Sequence, residues 1–347
     1  MTIVHVLEPF ATGITTAVLS ITRQLAGLQH IVVHGSRTGS DTEENIKKKF
    51  PQAVRFIPWP SAGREINPLK DIRALKELLK IIKPYKNSDA VIHLHSSKAG
   101  FLGRIACRLL GIKKVIYTPH GASFIRTDIS GLKKALFRSL ERIGGWFGGI
   151  VVGCGKSEAG LYSSALWVSN GVEITPAAKD VDPHLVSFAG IASVQKDPAL
   201  FNRIAEMAKG ETSFCWIGDG PLRGSLKSKN ITVTGWTDKK TVDGYLAKTL
   251  VYLSASAWEG LPFGVLEAMN ASCALLLRNV YGNRDLVLSG KNGYLFNDEG
   301  EAALLLAKML KNKTETITMG LESRAMAQSL YSEEKMGLEY GKIYAAI

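Results

Sequence analysis

The chain alternates short runs of β-branched and aliphatic residues with amphipathic helical stretches along most of its 347 residues. Parallel strands need a crossover connection, usually a helix, so this rhythm predicts βαβ units and parallel sheets. Two series of about five strands each follow one another, and we interpret them as two doubly wound α/β domains rather than as one barrel. The predicted strands are 3–7, 31–34, 90–95, 114–118 and 150–153, then 185–189, 213–217, 231–234, 250–253 and 273–277.

The predicted domain boundary lies at a polar junction near residues 163–173. The N-terminal domain then spans 1–167 and the C-terminal domain 168–330, with a ligand cleft expected between them. Residues 331–347 are predicted to form an amphipathic helix. Two packing sites are open for it, the N-terminal domain and the C-terminal domain. A chain of this length is long for one core, which agrees with two domains.

Composition narrows the class of protein. With 46% hydrophobic and 21% charged residues, the chain should be globular. It has no run of about eighteen apolar residues, and its start predicts a first strand rather than a signal peptide, so we expect a cytoplasmic protein. The four cysteines lie far apart among apolar or small neighbours without a paired metal spacing. We expect them to be reduced core residues.

The net charge of +12 is concentrated in the first half of the chain. Residues 1–167 contain 24 Lys and Arg against 11 Asp and Glu, a balance of +13, whereas residues 168–347 contain 19 against 20, a balance of −1. A basic half-molecule suits an anionic partner, which leaves nucleic acid, an anionic membrane and a phosphorylated substrate open.

Two glutamates eight positions apart, Glu259 and Glu267, flank a Gly/Pro turn that begins a helix predicted over 265–277. The turn follows the predicted strand 250–253, and open α/β sheets bind ligands at the carboxyl ends of their strands. A helix N-terminus also offers free N–H groups and a positive dipole end, which favour a phosphate. For two arbitrary glutamates the alternative is that Glu259 caps the helix and Glu267 is a solvated helix residue.

An ordered series of motifs over about 125 residues surrounds these glutamates. It consists of Ser169–Glu173, Gly190 with Gln195-Lys196, Trp216–Arg223, Val233–Trp236, Trp258–Met269, Gly282–Asp285 and Gly290–Phe296. Together these motifs resemble the retaining nucleotide-sugar glycosyltransferases of the glycosyltransferase family 4 type, and the first half looks like a subgroup that acts in bacterial surface-polysaccharide assembly. The resemblance implies the GT-B fold, which has two facing Rossmann-like domains.

The resemblance also implies roles for the residues around the glutamates. Glu259 would accept hydrogen bonds from the donor sugar's hydroxyls, and Glu267 would hold the ribose hydroxyls. Lys196 would neutralise the diphosphate as it leaves, which stabilises developing charge. Backbone amides at the helix start, apart from proline's missing N–H, would hold the sugar and diphosphate. This segment is Pro262, Phe263, Gly264 and Val265.

The chain departs from the family pattern beside the predicted phosphate site. Family members usually place an arginine directly after the glycine, whereas Ile191 follows Gly190 in this sequence. An isoleucine cannot contact phosphate, so either Lys196 works with another cation, Arg284 or Arg223, or diphosphate binding is weaker than usual. A surface position is the alternative for Arg284.

Other donor-binding candidates follow later strands of the second half. Gly218 belongs to the Trp216–Arg223 motif, and Gly235 with Trp236 would lie beside the nucleobase, with backbone groups contacting its edge. A buried packing tryptophan is the alternative for Trp236. These residues do not show whether the nucleoside of the donor is uridine or guanosine. We favour a UDP-sugar as the donor.

The first half is expected to bind the acceptor, and its resemblance to the family is looser. His120 follows a strand and a proline, and the resemblance implies that it contacts the sugar at the reaction centre; a loop-stabilising hydrogen bond is the alternative. The resemblance implies that the loop of Gly13 borders acceptor and diphosphate, so Gly13 is a donor-binding candidate that allows close backbone approach; a simple turn is its alternative. His93 and His95 share one face of a strand, but with no third ligand at a plausible spacing we expect no metal.

Two segments explain the basic first half. Residues 132–147 predict a helix with one apolar side and basic residues on its other sides, which suits an anionic membrane surface; a core-facing helix with a solvated basic face is the alternative. Residues 47–49 are three lysines at an expected exposed helix end. Nucleic acid is the weaker partner, because the first half has no helix-turn-helix or aromatic-interleaved basic motif.

The resemblance therefore implies a retaining, metal-independent glycosyltransferase that needs no cofactor beyond its co-substrate. It would move a hexose or N-acetylhexosamine from a nucleoside diphosphate sugar to a hydroxyl of a lipid-linked or oligosaccharide acceptor, in O-antigen or capsule type polysaccharide biosynthesis. It would work peripherally at the inner face of the cytoplasmic membrane. The rivals are an epimerase or hydrolase on the same fold, and a nucleotide-sugar-binding protein without turnover.

Overall fold

The chain forms two compact units in a computed structural model that describes residues 1–36, 41–63, 65–176, 180–208 and 210–347. The first unit contains Met1–Ile125, Ile129–Gly171 and Glu333–Ile347. The second unit contains Arg126–Asp128 and Val172–Ser332. The main passage from the first unit to the second falls between Gly171 and Val172, four residues after the boundary placed from the sequence.

The described part of the first unit contains a seven-stranded parallel sheet. Its strands are β1 (Thr2–Leu7), β2 (Gln29–His34), β3 (Arg55–Pro58), β4 (Val91–His95), β5 (Val115–Thr118), β6 (Ile150–Gly153) and β7 (Leu166–Trp167). Their order in space is β3-β2-β1-β4-β5-β6-β7. The order reverses between β1 and β4, as in a doubly wound sheet, and ligands bind at such reversals.

Helices connect these strands, and polar caps explain where several of them begin. They are α1 (Thr12–Gln24), α2 (Glu43–Lys48), α3 (Pro68–Ile82), α4 (Ser97–Leu110), α5 (Gly131–Trp146) and α6 (Lys156–Ala159). The side chain of Asn67 accepts from the amide of Lys70 at the start of α3, and Ser130 accepts from Lys133 at the start of α5. Such caps satisfy N–H groups that have no partner within the helix.

The second unit contains a six-stranded parallel sheet in its described residues. Its strands are β8 (Leu185–Ala189), β9 (Ser213–Ile217), β10 (Ile231–Val233), β11 (Val251–Ser254), β12 (Ala274–Arg278) and β13 (Gly293–Phe296). Their order is β10-β9-β8-β11-β12-β13. Strands β8, β11 and β12 are buried over most of their length, because helices cover both faces of a parallel sheet.

Seven further α-helices are present in the described residues after β7. They are α7 (Pro198–Met207), α8 (Lys239–Lys248), α9 (Phe263–Asn270), α10 (Asn283–Leu286), α11 (Glu299–Lys311), α12 (Lys313–Leu330) and α13 (Glu333–Ala346). The last of these, α13, belongs to the first unit and packs on α1, where a Cβ on Gly337 would overlap the side chain of Gln24. Among the residues described, no helix is both long and apolar enough to cross a membrane.

All ten predicted strands form, and the described residues contain three more. The unpredicted strands are β3, β7 and β13: β7 has two residues, and β13 has no β-branched residue, so neither gives a strong strand signal. The helix predicted over 265–277 is too long. It ends at Asn270, because residues 274–278 extend into β12 and pair with β11.

Candidate active site

Loops after the strands of the second sheet meet at its carboxyl edge, because the strands are parallel. Gly190 directly follows β8 and Gly218 directly follows β9. A Cβ on Gly218 would overlap the carbonyl oxygen of Gly190, and Gly218 has a φ of +137°. The Nε1 atom of Trp216 donates to the same oxygen at 3.0 Å. Glycine is therefore required at position 218 both by space and by backbone conformation.

Lys196 and Glu259 form an ion pair at this edge. The Nζ atom of Lys196 lies 2.5 Å from Oε1 of Glu259. Gln195 supports the other carboxylate oxygen, since its Nε2 donates to Oε2 at 3.3 Å and to the carbonyl oxygen of Trp258 at 3.0 Å. Glu259 is only 4% exposed. A buried carboxylate needs such partners, and here both of its oxygens have one.

The interpretation of Glu259 as a helix cap is wrong. The N-cap of α9 is Pro262, and within the described residues no side chain caps this helix. The first N–H groups of a helix, here those of Phe263 and Gly264, have no partner inside it. A Cβ on Gly264 would lie 3.0 Å from the carbonyl oxygen of Ala189, so the helix start packs against the end of β8. The free amides at the start of α9 therefore lie next to the loop that begins at Gly190.

Glu267 lies on α9, one turn after these amides, and it is not a fully solvated helix residue. Its Oε1 atom is 3.4 Å from Nζ of Lys239, and the side chain is partly buried. Burial raises the pKa of Glu267, and the charge of Lys239 opposes that rise. A bound diol would contribute hydroxyl donors to the same carboxylate.

Arg284 and Arg223, the two candidates for a cation that works with Lys196, have different surroundings. Arg284 is exposed, and its Nε donates to Oδ1 of Asn279 at 2.7 Å, so it has the surface position weighed as an alternative. Arg223 pairs with Asp219 at 2.8 Å. The residue before it is fixed to the loop that contains Ile191, because the amide of Leu222 donates to the carbonyl oxygen of Ala192 at 2.9 Å.

Gly235 and Trp236 follow β10 at the same edge. Gly235 has a φ of +74°, and a Cβ on it would lie 3.6 Å from Oδ2 of Asp219. Trp236 is 55% exposed, so the interpretation as a buried packing residue is wrong. The buried tryptophan of this region is Trp216 in β9. The exposed indole leaves a large apolar surface beside the loops that contain the candidate donor-binding residues.

In the first unit, His120 lies two residues beyond β5 and is half-buried. It has a φ of +54°, which is rare for a residue other than glycine. Its Nε2 atom lies 2.9 Å from Nδ1 of His95, and the next amide, of Gly121, donates to Oε1 of the buried Glu158 at 2.5 Å. Burial lowers the pKa of His120 to about 3, so its imidazole is neutral. The hydrogen bond weighed as its alternative is thus present.

A third histidine accompanies His93 and His95, contrary to the expectation from their spacing. One ligand atom from each of His5, His93 and His95 lies within 4.8 Å of the others, and all three side chains are buried. His5 comes from β1, which pairs with β4 and brings His5 opposite His93.

Gly13 is the second residue of α1, in the connection that follows β1.

Two domain models match the chain. The glycosyl transferase 4-like domain matches residues 12–169, and the domain described as glycosyl transferases group 1 matches residues 182–312. The chain belongs to these glycosyltransferase families. The first match lies almost entirely in the first unit of the structure and the second match lies in the second unit. This glycosyltransferase therefore has one matched family domain in each unit.

A curated relative agrees with this assignment, and solved structures show the fold. The UDP-Gal:α-D-GlcNAc-diphosphoundecaprenol α-1,3-galactosyltransferase of Escherichia coli is 27% identical to the glycosyltransferase over 282 residues, which covers 70% of this chain and 71% of that protein. The sucrose-phosphate synthase from Thermosynechococcus elongatus superposes with a TM-score of 0.81 at 16% identity, over 100% of this chain and 98% of that one. HepE of Anabaena, in complex with UDP and glucose, superposes with a TM-score of 0.80 at 12% identity over all of both chains. The fold is GT-B, as predicted.

The basic helix α5 of the glycosyltransferase exposes part of its apolar side. Leu132 is 83% exposed and Trp146 is 80% exposed. The later apolar residues Leu140 and Ile143 are half-buried, so only a part of the predicted apolar side faces the protein. The three lysines 47–49 lie at the end of α2, where they pair with the acidic residues Glu43, Glu44 and Asp41.

Sequence reasoning missed three residues of these sites. The sequence presents Gln195 only as one residue of a motif, although its side-chain amide donates to Glu259. His5 and His30 were not singled out, and both belong to the buried histidine group of the first unit. The signal in the sequence was a histidine in or directly beside each of the predicted strands 3–7, 31–34 and 90–95. Parallel pairing of these strands would bring the histidines together.

Proposed function

We propose that this glycosyltransferase moves a hexose or N-acetylhexosamine from a nucleoside diphosphate sugar, a UDP-sugar by preference, to a hydroxyl of a growing glycan. The name of the E. coli relative gives UDP-Gal as donor and a diphosphoundecaprenol-linked acceptor, and HepE was solved with UDP. By this likeness the acceptor is lipid-linked, and the product is a surface polysaccharide of O-antigen or capsule type.

The observation that carries this proposal is the pair of Lys196 and Glu259 beside the start of α9. An ammonium group and the free amides of a helix N-terminus favour a diphosphate. The buried carboxylate of Glu259 is held by two side chains and offers acceptors of fixed direction to sugar hydroxyls. The combination suits a ligand that joins a sugar to a diphosphate.

We expect transfer with retention of the anomeric configuration. The bond from the anomeric carbon to the diphosphate oxygen breaks, and a bond to the acceptor oxygen forms on the same face of the sugar. The acceptor proton passes to the departing diphosphate oxygen, so no additional carboxylate base is needed. Catalysis then rests on positioning and on charge stabilisation by Lys196, and we propose that it requires no metal.

The rest of the donor would extend along the carboxyl edge of the second sheet. Glu267 is proposed to hold the ribose diol, and Gly235 with the exposed Trp236 to lie beside the base. Arg223 is our candidate for the second cation, because Leu222 attaches it to the loop of Ile191. Its ion pair with Asp219 is exposed and costs little to rearrange.

The first unit is proposed to bind the acceptor and the membrane. His120 and Gly13 would contact the substrates, and the neutral imidazole of His120 suits hydroxyl groups. Helix α5 combines exposed apolar residues such as Leu132 with basic residues, and such a surface binds anionic lipid through both apolar burial and charge. A peripheral position at the inner face of the cytoplasmic membrane would place the enzyme at a lipid-linked acceptor.

The proposal is tested by incubating the protein with a panel of UDP- and GDP-sugars, with and without a lipid-diphosphate-linked N-acetylglucosamine. We expect release of the nucleoside diphosphate only when both substrates are present, unchanged by a chelator, and a product that retains the donor's anomeric configuration by NMR. Release without acceptor would indicate a hydrolase, isomerised donor an epimerase, and binding without turnover a binding protein.

Two variants connect the activity to the site. We expect Glu259→Ala and Lys196→Ala each to lower transfer at least 100-fold, since each removes a charged contact to the donor. Lys229→Ala, which removes an exposed lysine of the same unit, is the matched control and should retain activity. Unchanged transfer in the first two variants would contradict the site assignment.

A further inference from the structure

Four imidazoles of the first unit are hydrogen-bonded in series. The Nε2 atom of His120 lies 2.9 Å from Nδ1 of His95. The Nε2 atom of His95 lies 3.1 Å from Nδ1 of His5, and Nε2 of His5 lies 3.2 Å from Nδ1 of His30. The series ends where Nε2 of His30 lies 2.9 Å from the carbonyl oxygen of Leu25. We name these four histidines with the Leu25 carbonyl the histidine relay.

Parallel strand pairing explains how the relay forms. Ile3 of β1 lies opposite His30 of β2, and Leu7 of β1 lies opposite His95 of β4. Residues two apart in a strand share a face, so His5 projects to the same side as both histidines. All three of these rings are buried. The relay therefore crosses the sheet inside the protein, from the loop after β5 to the loop after α1.

The Leu25 carbonyl gives the relay a direction. A carbonyl oxygen can only accept, so the hydrogen between it and His30 belongs to Nε2 of His30. A neutral imidazole has one N–H, which leaves Nδ1 of His30 as an acceptor for Nε2–H of His5. The same step repeats at His95 and at His120. All four rings then have their hydrogen on Nε2, and Nδ1 of His120 has none.

Burial keeps the rings neutral, which this argument requires. It lowers the pKa of His30 and lowers the pKa values of His5 and His95 well below the usual range, while the pKa of His120 falls to about 3. The neighbouring histidine His93 is also neutral and buried, and it bonds instead to Tyr344 and Thr118. It does not interrupt the series.

We propose that the histidine relay fixes His120 in the Nε2–H tautomer, so that its Nδ1 is a permanent acceptor for a hydroxyl of the donor sugar or of the acceptor glycan. His95, His5 and His30 are then positioning residues that act through His120. The identity of the ligand rests on the proposed function. The tautomer is a property of the protein without ligand, so it can be tested separately.

The first test uses NMR of the full-length protein labelled with ¹⁵N-histidine, without substrates. We expect scalar couplings across three N–H···N hydrogen bonds, from His120 to His95, from His95 to His5 and from His5 to His30, and the Nε2–H tautomer alone at His120. A hydrogen on Nδ1 of His120, or absent couplings, would overturn the relay whatever the activity. Zinc bound in a 1:1 ratio by the wild-type protein and not by His5→Leu would also overturn it, because His5 and His95 would then be metal ligands.

The second test compares substitutions at His5, the centre of the relay. His5→Leu removes both hydrogen bonds and should leave His120 in a mixture of tautomers, with kcat about tenfold lower, the effect of one neutral hydrogen bond. His5→Gln keeps an acceptor oxygen and a donor N–H, so it should restore the Nε2–H form of His120 and kcat to within about twofold. His34→Leu makes the same change at a buried histidine of the same sheet outside the relay, and it should leave both unchanged.

The outcomes separate the relay from the proposed function. If the wild-type protein transfers no sugar but shows the three couplings, the proposed function fails and the relay stands. If His5→Leu does not fold, the wild-type couplings and the His5→Gln spectrum still decide. Equal loss of activity in His5→Leu and His34→Leu, with an unchanged His120 tautomer, would reduce His5 to a packing residue and contradict the proposal.

Discussion

The Nζ atom of Lys196 lies 2.5 Å from Oε1 of Glu259, and this ion pair joins the loops that follow β8 and β11. Glu259 is buried, whereas Lys196 is partly exposed. Loss of the lysine would leave a buried carboxylate without its counter-charge, which costs more than leaving a partly solvated ammonium group alone. Removing one partner of the pair should therefore destabilise this edge of the sheet, apart from its effect on the proposed donor site.

This asymmetry predicts different effects of single substitutions. We expect Lys196→Met to lower the local unfolding free energy by about 2 kcal/mol and Glu259→Gln to lower it by less, because the amide still bonds to Gln195. The double variant should be more stable than the sum of the single effects implies. Hydrogen exchange of amides in β8 and β11 measures this, and strictly additive effects would contradict the coupling.

The contact between Gly218 and Gly190 makes a second prediction. Gly218→Ala places a Cβ against the carbonyl oxygen of Gly190 at a φ of +137°, so the loop must move. We expect donor binding to weaken at least tenfold and the melting temperature to fall, with a loss of about 1–3 kcal/mol. Gly224→Ala is the control, because a Cβ there has no neighbour within 4 Å. Calorimetric titration with UDP and thermal unfolding measure both quantities, and equal behaviour of the two variants would be the contrary result.

The two tryptophans Trp236 and Trp216 should respond in opposite ways. Trp236 is 55% exposed, so Trp236→Ala should leave stability nearly unchanged and weaken UDP binding about 3- to 10-fold, if its indole contacts the base. Trp216→Phe changes a buried side chain and removes its hydrogen bond to Gly190, so it should lower stability. Thermal unfolding and UDP titration distinguish the two. Unchanged UDP binding in Trp236→Ala would remove this residue from the donor site.

The buried histidines of the first unit predict a loss of stability in mild acid. Burial lowers the pKa of His5, His93 and His95 well below 6.5, and each ring takes up a proton near pH 6.5 in the unfolded chain. Above pH 6.5 these rings are neutral in both the folded and the unfolded chain, so the lowered pKa has no effect on stability. As pH falls from 6.5 towards the folded pKa, the unfolded chain binds protons that the folded chain does not, and the free energy of unfolding decreases. Each such ring contributes a slope of up to about 1.4 kcal/mol per pH unit.

We therefore expect the unfolding free energy of the first unit to fall by several kcal/mol between pH 6.5 and pH 5. Hydrogen exchange of amides in β1 and β4 reports this unit by itself. His5→Gln should reduce the slope by the share of one histidine. A stability that is constant over this range, or a slope that His5→Gln leaves unchanged, would show that these rings are not neutral in the folded state.

The sequence predicted the parallel sheets and the edge where the glycine loops meet, because both follow from local patterns. Strand runs and helix starts are properties of short segments, and parallel strands necessarily place their following loops at one edge. The fold was therefore accessible from residues such as Gly190, Gly218 and Glu259. The short strand β13 was not, because its residues pair with β12 without a β-branched pattern.

The histidine relay could not be predicted from local patterns, because histidines in several predicted strands indicate a shared sheet but not which rings are in contact. Its members come from four segments between His5 and His120, and no two of them lie close together in the sequence. Their contact depends on the register of β1 against β2 and β4, which tertiary packing sets. The exposure of Trp236 could not be predicted for a similar reason, since burial of a loop residue depends on what packs over it.

Helix α5 supplies the last prediction, which concerns the membrane. Leu132 is 83% exposed near the start of this basic helix, whereas Leu304 on α11 of the second unit is 76% exposed in a half of the chain without excess positive charge. If α5 binds an anionic bilayer, Leu132→Asp removes buried apolar area and adds a repulsive charge at the contact. Leu304→Asp makes the same change on α11 of the second unit.

We expect the wild-type protein and Leu304→Asp to sediment with vesicles that contain anionic lipid at low salt, and Leu132→Asp to sediment at least fivefold less. Raising the salt concentration should weaken binding of the wild-type protein, because screening reduces the attraction of Lys133, Lys134 and the other basic residues to the surface. Neutral vesicles provide the reference for the apolar contribution alone. Failure of the wild-type protein to sediment with anionic vesicles, or an equal loss in both aspartate variants, would exclude α5 as the membrane-binding surface.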